Sequence, residues 1–148
     1  MTLTKKTSIR AAAGLLSAVG LLAAVQVAVP TASNAGGATC RGETATIVGS
    51  PSRDVINGTG GRDVIAALGG NDDIDAGGGN DLVCGGAGAE EIDGDAGNDT
   101  LLGQTGNDEI DGQRGDDRLN GGRGTDDLDG EAGNDTCVNG ENVDDCEN

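Results

Sequence analysis

The sequence predicts an all-β fold, a parallel two-sheet β-solenoid assembled from eleven nine-residue half-coils. Three observations point there: a nine-residue register from Gly49 to Glu147, a glycine-rich turn in nine of the eleven units, and one apolar side chain at a fixed place in each. The chain has 148 residues, 29 of them glycine, and no Phe, Tyr or Trp. An ordinary compact core is therefore excluded, because large side chains supply most of the burial energy at about 25 cal/mol per Å² of apolar area.

The apolar position comes eighth in the unit, at Ile56, Ile65, Ile74, Val83, Ile92, Leu101, Ile110, Leu119, Leu128, Cys137 and Cys146. With 34% of the chain hydrophobic, eleven such residues fall in one register by chance on the order of once in a hundred thousand trials. The sixth position is a carboxylate in every unit: Asp54, Asp63, Asp72, Asp81, Glu90, Asp99, Asp108, Asp117, Asp126, Asp135 and Asp144. Glycine holds the fourth position from Gly61 to Gly133, with Ser52 and Asn142 replacing it in the first and last units. A unit such as 94–102 thus divides into a six-residue turn and a three-residue strand with one inward side chain. Nine residues make half a coil, so each unit stacks on the next but one, about 4.8 Å away.

Ahead of the repeats, Lys5, Lys6 and Arg10 precede an apolar run from Ala11 to Val29, then Pro30 and the small-residue stretch Ser33-Asn34-Ala35. This reads as an export signal cleaved after Ala35. The expected organisation is a signal peptide at 1–35, an arm at 36–48 and the repeat domain at 49–147, in a secreted protein with no membrane segment once the signal is removed. Cleavage leaves six arginines against 26 acidic residues, a formal charge of −20. Nucleic acid is excluded as a partner for want of a basic footprint, and without cations self-repulsion favours an expanded chain.

Stretches such as Gly-Gly-Asn-Asp-Asp-Ile at 69–74 and Gly-Asn-Asp-Glu-Ile-Asp at 106–111 resemble the repeats-in-toxin nonapeptide G-G-x-G-x-D-x-U-x. The resemblance spans residues 49–147 and implies a calcium-binding parallel β-roll, with Ca2+ held between turns stacked on one edge by sixth-position carboxylates and turn carbonyls. Applied to this chain, it places Asp63, Asp81, Asp99, Asp117 and Asp135 on a first edge and Asp54, Asp72, Glu90, Asp108, Asp126 and Asp144 on a second. The first edge has glycine at every fourth position. On the second, Glu90 is one methylene too long, and the turns at 49–54 and 139–144 lack the fourth glycine. Asp63, Asp72, Asp81, Asp99, Asp108, Asp117, Asp126 and Asp135 are the expected metal ligands, with Asp54, Glu90 and Asp144 weaker. The expected number is about five good sites and up to four weak or empty ones.

Turn preference alone explains Asp, Asn and Gly in turns, but not a carboxylate at one position eleven times over. Three triplets, at Asn57, Asn98 and Asn134, fit the glycosylation sequon without marking a site, and the last two include expected ligands and arise from the repeat itself. The calcium-loop-like start at Asp93 fails because its twelfth position is Gln104.

The outward seventh and ninth positions sort by alternate units. One face reads Val55, Asn57, Asp73, Asp75, Glu91, Asp93, Glu109, Asp111, Asp127, Asp129, Asp145 and Glu147, and the other reads Val64, Ala66, Leu82, Cys84, Thr100, Leu102, Arg118, Asn120, Thr136 and Val138. The first needs counter-ions. The second is partly apolar, and the arm is expected to cover its first half, since Thr46-Ile47-Val48 enters in phase and Cys40 can reach Cys84. Four cysteines in an exported chain imply two disulfides, of which Cys40–Cys84 and Cys137–Cys146 are favoured. The second pair requires the sheets to pinch together.

The leading functional expectation is a non-enzymatic calcium-binding protein that folds on binding calcium ions. With no His, and no Lys after cleavage, the chain offers no nucleophile and base pair. A structural or adhesive protein self-associating through the neutral face is the alternative.

Overall fold

The computed structural model describes residues 37–147; the expected signal peptide lies outside the described residues. Fourteen strands and no helix make up the described chain. A short antiparallel hairpin, β1 (Thr39–Cys40) and β2 (Glu43–Thr44), precedes the solenoid. Two six-stranded sheets follow. The first contains β4 (Val55–Thr59), β6 (Asp73–Gly77), β8 (Glu91–Asp93), β10 (Glu109–Asp111), β12 (Asp127–Asp129) and β14 (Asn142–Asp144). The second contains β3 (Ile47–Val48), β5 (Val64–Ala66), β7 (Leu82–Ala87), β9 (Thr100–Thr105), β11 (Arg118–Arg123) and β13 (Thr136–Val138).

All neighbouring strands within the two sheets run parallel, and from Ile47 to Val138 each partner stands eighteen residues along: Ile74 beside Ile92, Val83 beside Leu101, Leu119 beside Cys137. The alternate-unit topology is the expected solenoid. Eighth-position side chains from Ile56 to Cys137 form one buried column between the sheets, with Ala67 and Ala76 filling its first turns. This single file of aliphatic residues is the whole inner core, so the edges must contribute to holding the coils in register.

The arm covers the first half of the neutral face. Cys40 is fully buried and bonded to Cys84 with a Cα separation of 5.6 Å. Val64 and Leu82 pack beside them, with Ala45 and Leu102 at the margin. The other half of that face stays open, Val138 being 44% exposed.

The last unit departs from the expected register. Asn142, Val143 and Asp144 pair with Asp127, Leu128 and Asp129, so partners are fifteen residues apart instead of eighteen. Val143 takes the strand place expected for Cys146, and Asp144 lies at the ninth position, exposed, rather than at the sixth. The acidic face accordingly ends in Asn142 and Asp144, not Asp145 and Glu147. The slip frees the final residues to cross the open end of the core. Cys146 then meets Cys137 at a Cα separation of 5.9 Å, so a crossing segment replaces the pinched sheets.

Candidate metal centre

Conformation dictates the turn composition. Second-position residues adopt left-handed φ whether glycine or not: Leu68 (79°), Asp95 (65°), Gln104 (79°), Gln113 (65°) and Glu131 (59°). Fourth-position glycines sit further out, at 144° for Gly97, 146° for Gly106 and 145° for Gly115. Side chains tolerate the first region at modest cost but have no well in the second. A Cβ on Gly97 would also collide with the carbonyl oxygen of Gly79 one coil away. Hence the fourth position is glycine almost throughout, while the second varies.

These turns aim the carboxylates inward. Nine sixth-position residues are buried: Asp63, Asp72, Asp81, Glu90, Asp99, Asp108, Asp117, Asp126 and Asp135. On the first edge, Oδ1 of each carboxylate after Asp63 accepts the backbone N–H of the sixth residue one coil back, while Asp63 Oδ1 accepts from the Thr46 hydroxyl. Asp63 donates to Asp81, Asp81 to Asp99, Asp99 to Asp117 and Asp117 to Asp135, each at 2.7 Å. On the second edge Asp54 donates to Asp72 at 2.8 Å, Glu90 to Asp108 at 3.1 Å and Asp108 to Asp126 at 3.0 Å. The rung from Asp72 to Glu90 is missing, and both carboxylate oxygens of Glu90 are unpartnered.

The second oxygen of the ladder carries the chemistry. Oδ2 of Asp72, Asp81, Asp99, Asp108, Asp117, Asp126 and Asp135 is buried without a hydrogen-bond partner. Burying a carboxylate oxygen unpaired is costly, and a cation is the species that offsets it. Glycine carbonyls stand close by. The point a Cβ would occupy on Gly94 is 2.8 Å from the carbonyl oxygen of Gly112 and 3.0 Å from Asp99 Oδ2; on Gly112 it is 3.0 Å from the oxygen of Gly130 and 2.8 Å from Asp117 Oδ2. Hard oxygens of both kinds around a small gap suit calcium. No three Asp, Glu, His or Cys side chains cluster as a metal site among the described residues, so an ion here draws on backbone carbonyls as well as carboxylates.

Burial raises the carboxylate pKa values along the ladder. Asp99 and Asp117 are pushed up to about 6, chiefly by desolvation with help from neighbouring carboxylates, while the N–H bonds from Asp81 and Asp99 oppose the rise. Glu90 rises to about 8 by desolvation, reinforced by Asp108. Asp72, Asp81 and Asp108 are also raised, again mainly by burial. On the acidic face Asp111 reaches about 6 through burial and the stacked charges of Asp93 and Asp129.

The first two turns differ from the rest. Asp63 Oδ2 accepts from the N–H and the hydroxyl of Thr59, both at 2.8 Å, and Asp54 Oδ2 accepts from the Ser50 N–H at 2.6 Å. Thr59 and Ser50 lack the left-handed φ of later second positions, which turns their N–H groups toward the carboxylate. Asp63, expected among the strong ligands, is thereby satisfied within its own turn, as Asp54 is. Asp144, expected on the second edge, does not reach a turn site at all because of the register slip.

Two features were missed in the sequence. Fifth-position asparagines form an outer ladder, with Asn80 Oδ1 accepting the Asn98 N–H at 3.1 Å and Asn98 Oδ1 that of Asp116 at 3.2 Å. The recurring fifth-position Asn at 71, 80, 98, 107 and 134 was the available signal. At the C-terminal end, Glu141 accepts the Asp126 N–H at 2.7 Å and Glu147 the Asp135 N–H at 2.8 Å. Counting in nines places Glu141 third and Glu147 ninth in the last unit, so no periodic signal marked them.

No curated protein and no solved structure matches the chain. The family described as RTX calcium-binding nonapeptide repeat (4 copies) matches residues 48–83, 85–119 and 102–137. Those segments cover more than half of the sequence and carry the stacked turns and inward carboxylates described above, and the chain belongs to the RTX calcium-binding nonapeptide repeat family.

Proposed function

We propose that this is a secreted, non-enzymatic protein that folds on binding several calcium ions between its stacked turns. The observation that carries the reading is the file of buried carboxylate oxygens without partners, which from Glu90 to Asp135 lie beside a turn carbonyl. A thin aliphatic column cannot offset so many desolvated negative charges, whereas divalent cations neutralise them and tie adjacent coils together. The best candidate spaces on the first edge lie between Asp81 and Asp99, Asp99 and Asp117, and Asp117 and Asp135. On the second edge the Asp108–Asp126 space is the best formed, and those bounded by Glu90 are weaker. Two disulfides fit an oxidising compartment, in keeping with export.

Far-UV circular dichroism during a calcium titration tests the proposal. The expected result is a cooperative gain of β signal with calcium, reversed by chelator and not reproduced by magnesium, which demands a tighter octahedral shell. A coil-like spectrum at saturating calcium, or an equal response to magnesium, defeats it. Self-association through the neutral face is the weaker reading, because the arm already covers the apolar half of that face. Sedimentation velocity in calcium is expected to show a monomer.

A further inference from the structure

Beyond the repeat, the C-terminal segment imitates the turns it caps. In the interior, the orphaned Oδ2 of Asp99, Asp108 and Asp117 lies near the first-position carbonyl of the next coil, that of Gly112, Gly121 and Gly130 respectively. The same arrangement continues past the last complete units. Next to Gly121, Asp126 Oδ2 is joined by the carbonyl oxygen of Asn139, which is 2.6 Å from the point a Cβ would occupy. Next to Gly130, Asp135 Oδ2 is joined by the carbonyl oxygen of Asp145. Asp126 is 1% exposed and Asp135 0%, and Oδ2 of each is unpartnered.

Glutamates complete the imitation. In the repeat, a sixth-position aspartate accepts the N–H of its counterpart one coil back, and the following residue donates to that counterpart's carbonyl: Asp135 accepts from Asp117, and the Thr136 N–H reaches the Asp117 oxygen at 2.9 Å. At the ends one glutamate does both. The Glu141 N–H donates to the Asp126 oxygen at 3.0 Å while its carboxylate accepts the Asp126 N–H at 2.7 Å. The Glu147 N–H donates to the Asp135 oxygen at 2.7 Å while its carboxylate accepts the Asp135 N–H at 2.8 Å. Because Asn142 pairs with Asp127, Glu141 stands at the sixth-position place, whereas Glu147, whose N–H reaches the Asp135 carbonyl, stands at the seventh; each carries its carboxylate back over the N–H of the aspartate one coil earlier.

We infer that Glu141 and Glu147 each close a terminal calcium site, one on each edge: Asp126 with the Asn139 carbonyl and Glu141, and Asp135 with the Asp145 carbonyl and Glu147. This rests on the calcium-binding reading above and adds two sites, each completed by a glutamate that the nine-residue count does not place at a sixth position. The crossing segment, pinned by Cys137–Cys146, is then a calcium-fastened lid on the open end of the core.

Calcium stoichiometry of the full chain, measured by isothermal titration calorimetry and equilibrium dialysis, tests it with E141Q, E147Q and D144N. Glutamine keeps an oxygen to accept the aspartate N–H but loses the charge a hard cation needs. E141Q and E147Q are each expected to bind one calcium ion fewer than the parent, the double variant two fewer, and D144N the same number. If both glutamine variants bind the parental number with parental affinity, the glutamates are hydrogen-bond caps only and the inference is overturned. A loss in D144N instead restores the unslipped register and overturns it as well. Circular dichroism at saturating calcium checks that each variant folds; should one fail to fold, the other tests the inference on its own edge. A parent chain that binds no calcium defeats the underlying proposal, a result distinct from parental binding in the glutamine variants.

Discussion

The two edges of the solenoid are built from the same nonapeptide, yet only one is uniform. On the first edge four consecutive N–H to carboxylate rungs measure 2.7 Å. On the second the rungs range from 2.7 to 3.1 Å, and the one between Asp72 and Glu90 is absent. One added methylene at Glu90 accounts for the break: its carboxylate overshoots the Asp72 N–H and stays buried with neither oxygen paired. Inside the continuous repeat the ladder therefore tolerates variation in the outward residues but not in the length of the inward one, whereas at the slipped end Glu141 forms a rung of 2.7 Å.

The sharpest way to break the good edge is at its backbone. Gly97→Ala places a methyl group against the Gly79 carbonyl at a φ of 144°, so neither the turn nor its neighbour can keep its shape. Thermal unfolding in saturating calcium is expected to show a loss of about 3 kcal/mol. Gly61→Ala, at the same position in the first turn of this edge, meets open space and is expected to cost under about 0.5 kcal/mol. Equal losses from both substitutions would falsify the stacking argument.

Charge gives the next largest effect. Asp99→Asn keeps the shape of the rung but removes a carboxylate that faces two adjacent spaces, and calorimetry is expected to show calcium affinity falling about tenfold or more for those spaces. Asp54→Asn, where Oδ2 is already engaged by Ser50, is expected to leave affinity near the parental value. A comparable drop in both variants would contradict the division between end turns and interior turns.

Acid separates the edges in the calcium-free chain. Carboxylates whose folded pKa is raised favour folding while protonated. That contribution is fully present below the ordinary carboxylate range and is lost as pH climbs through the folded values, about 6 for Asp99 and Asp117 and about 8 for Glu90. Without calcium, β signal is expected to increase from pH 8 to pH 5, and Glu90→Gln is expected to remove the portion above pH 7. A β signal that does not change over this window counts against burial of the ladder in the calcium-free fold.

Most of this architecture is legible in the sequence because one residue type is forced at each inward place. Only an apolar side chain fits the column at position eight, only glycine survives φ near 145° at position four, and only a carboxylate suits position six. The Cys40–Cys84 link followed from the phase of the arm. The failures lie where the period stops forcing anything. Counting in nines put Asp144 on the second edge, but Val143 fills the strand place three residues early and the tail crosses the core. Asp63 carries the repeat's residue type, and only the non-left-handed conformation of Thr59 shows that its second oxygen is taken.

Repairing the damaged edge is expected to give smaller gains. Glu90→Asp shortens the side chain so that it can accept the Asp72 N–H and present a single inward oxygen like its neighbours. Calcium-loaded protein is expected to gain about 1 kcal/mol, the worth of one recovered hydrogen bond, read as a shift in the urea midpoint with unchanged slope. No shift, or a loss, would mean that Glu90 is accommodated by its own pair of spaces rather than tolerated in an aspartate's place.

The smallest effect belongs to the same edge one turn earlier. Leu68 holds the second position of the 67–72 turn at a φ of 79° and is 46% exposed, whereas the first-edge turn at 76–81 has Gly77 there at 87°. Leucine's left-handed conformation costs roughly 1–2 kcal/mol, of which the unfolded-state entropy of glycine returns about 0.4–1 kcal/mol to the substituted chain. Leu68→Gly is therefore expected to stabilise the calcium-loaded protein by about 0.5 kcal/mol. A glycine that destabilises would show that Leu68 makes packing contacts in solution worth more than the strain it carries.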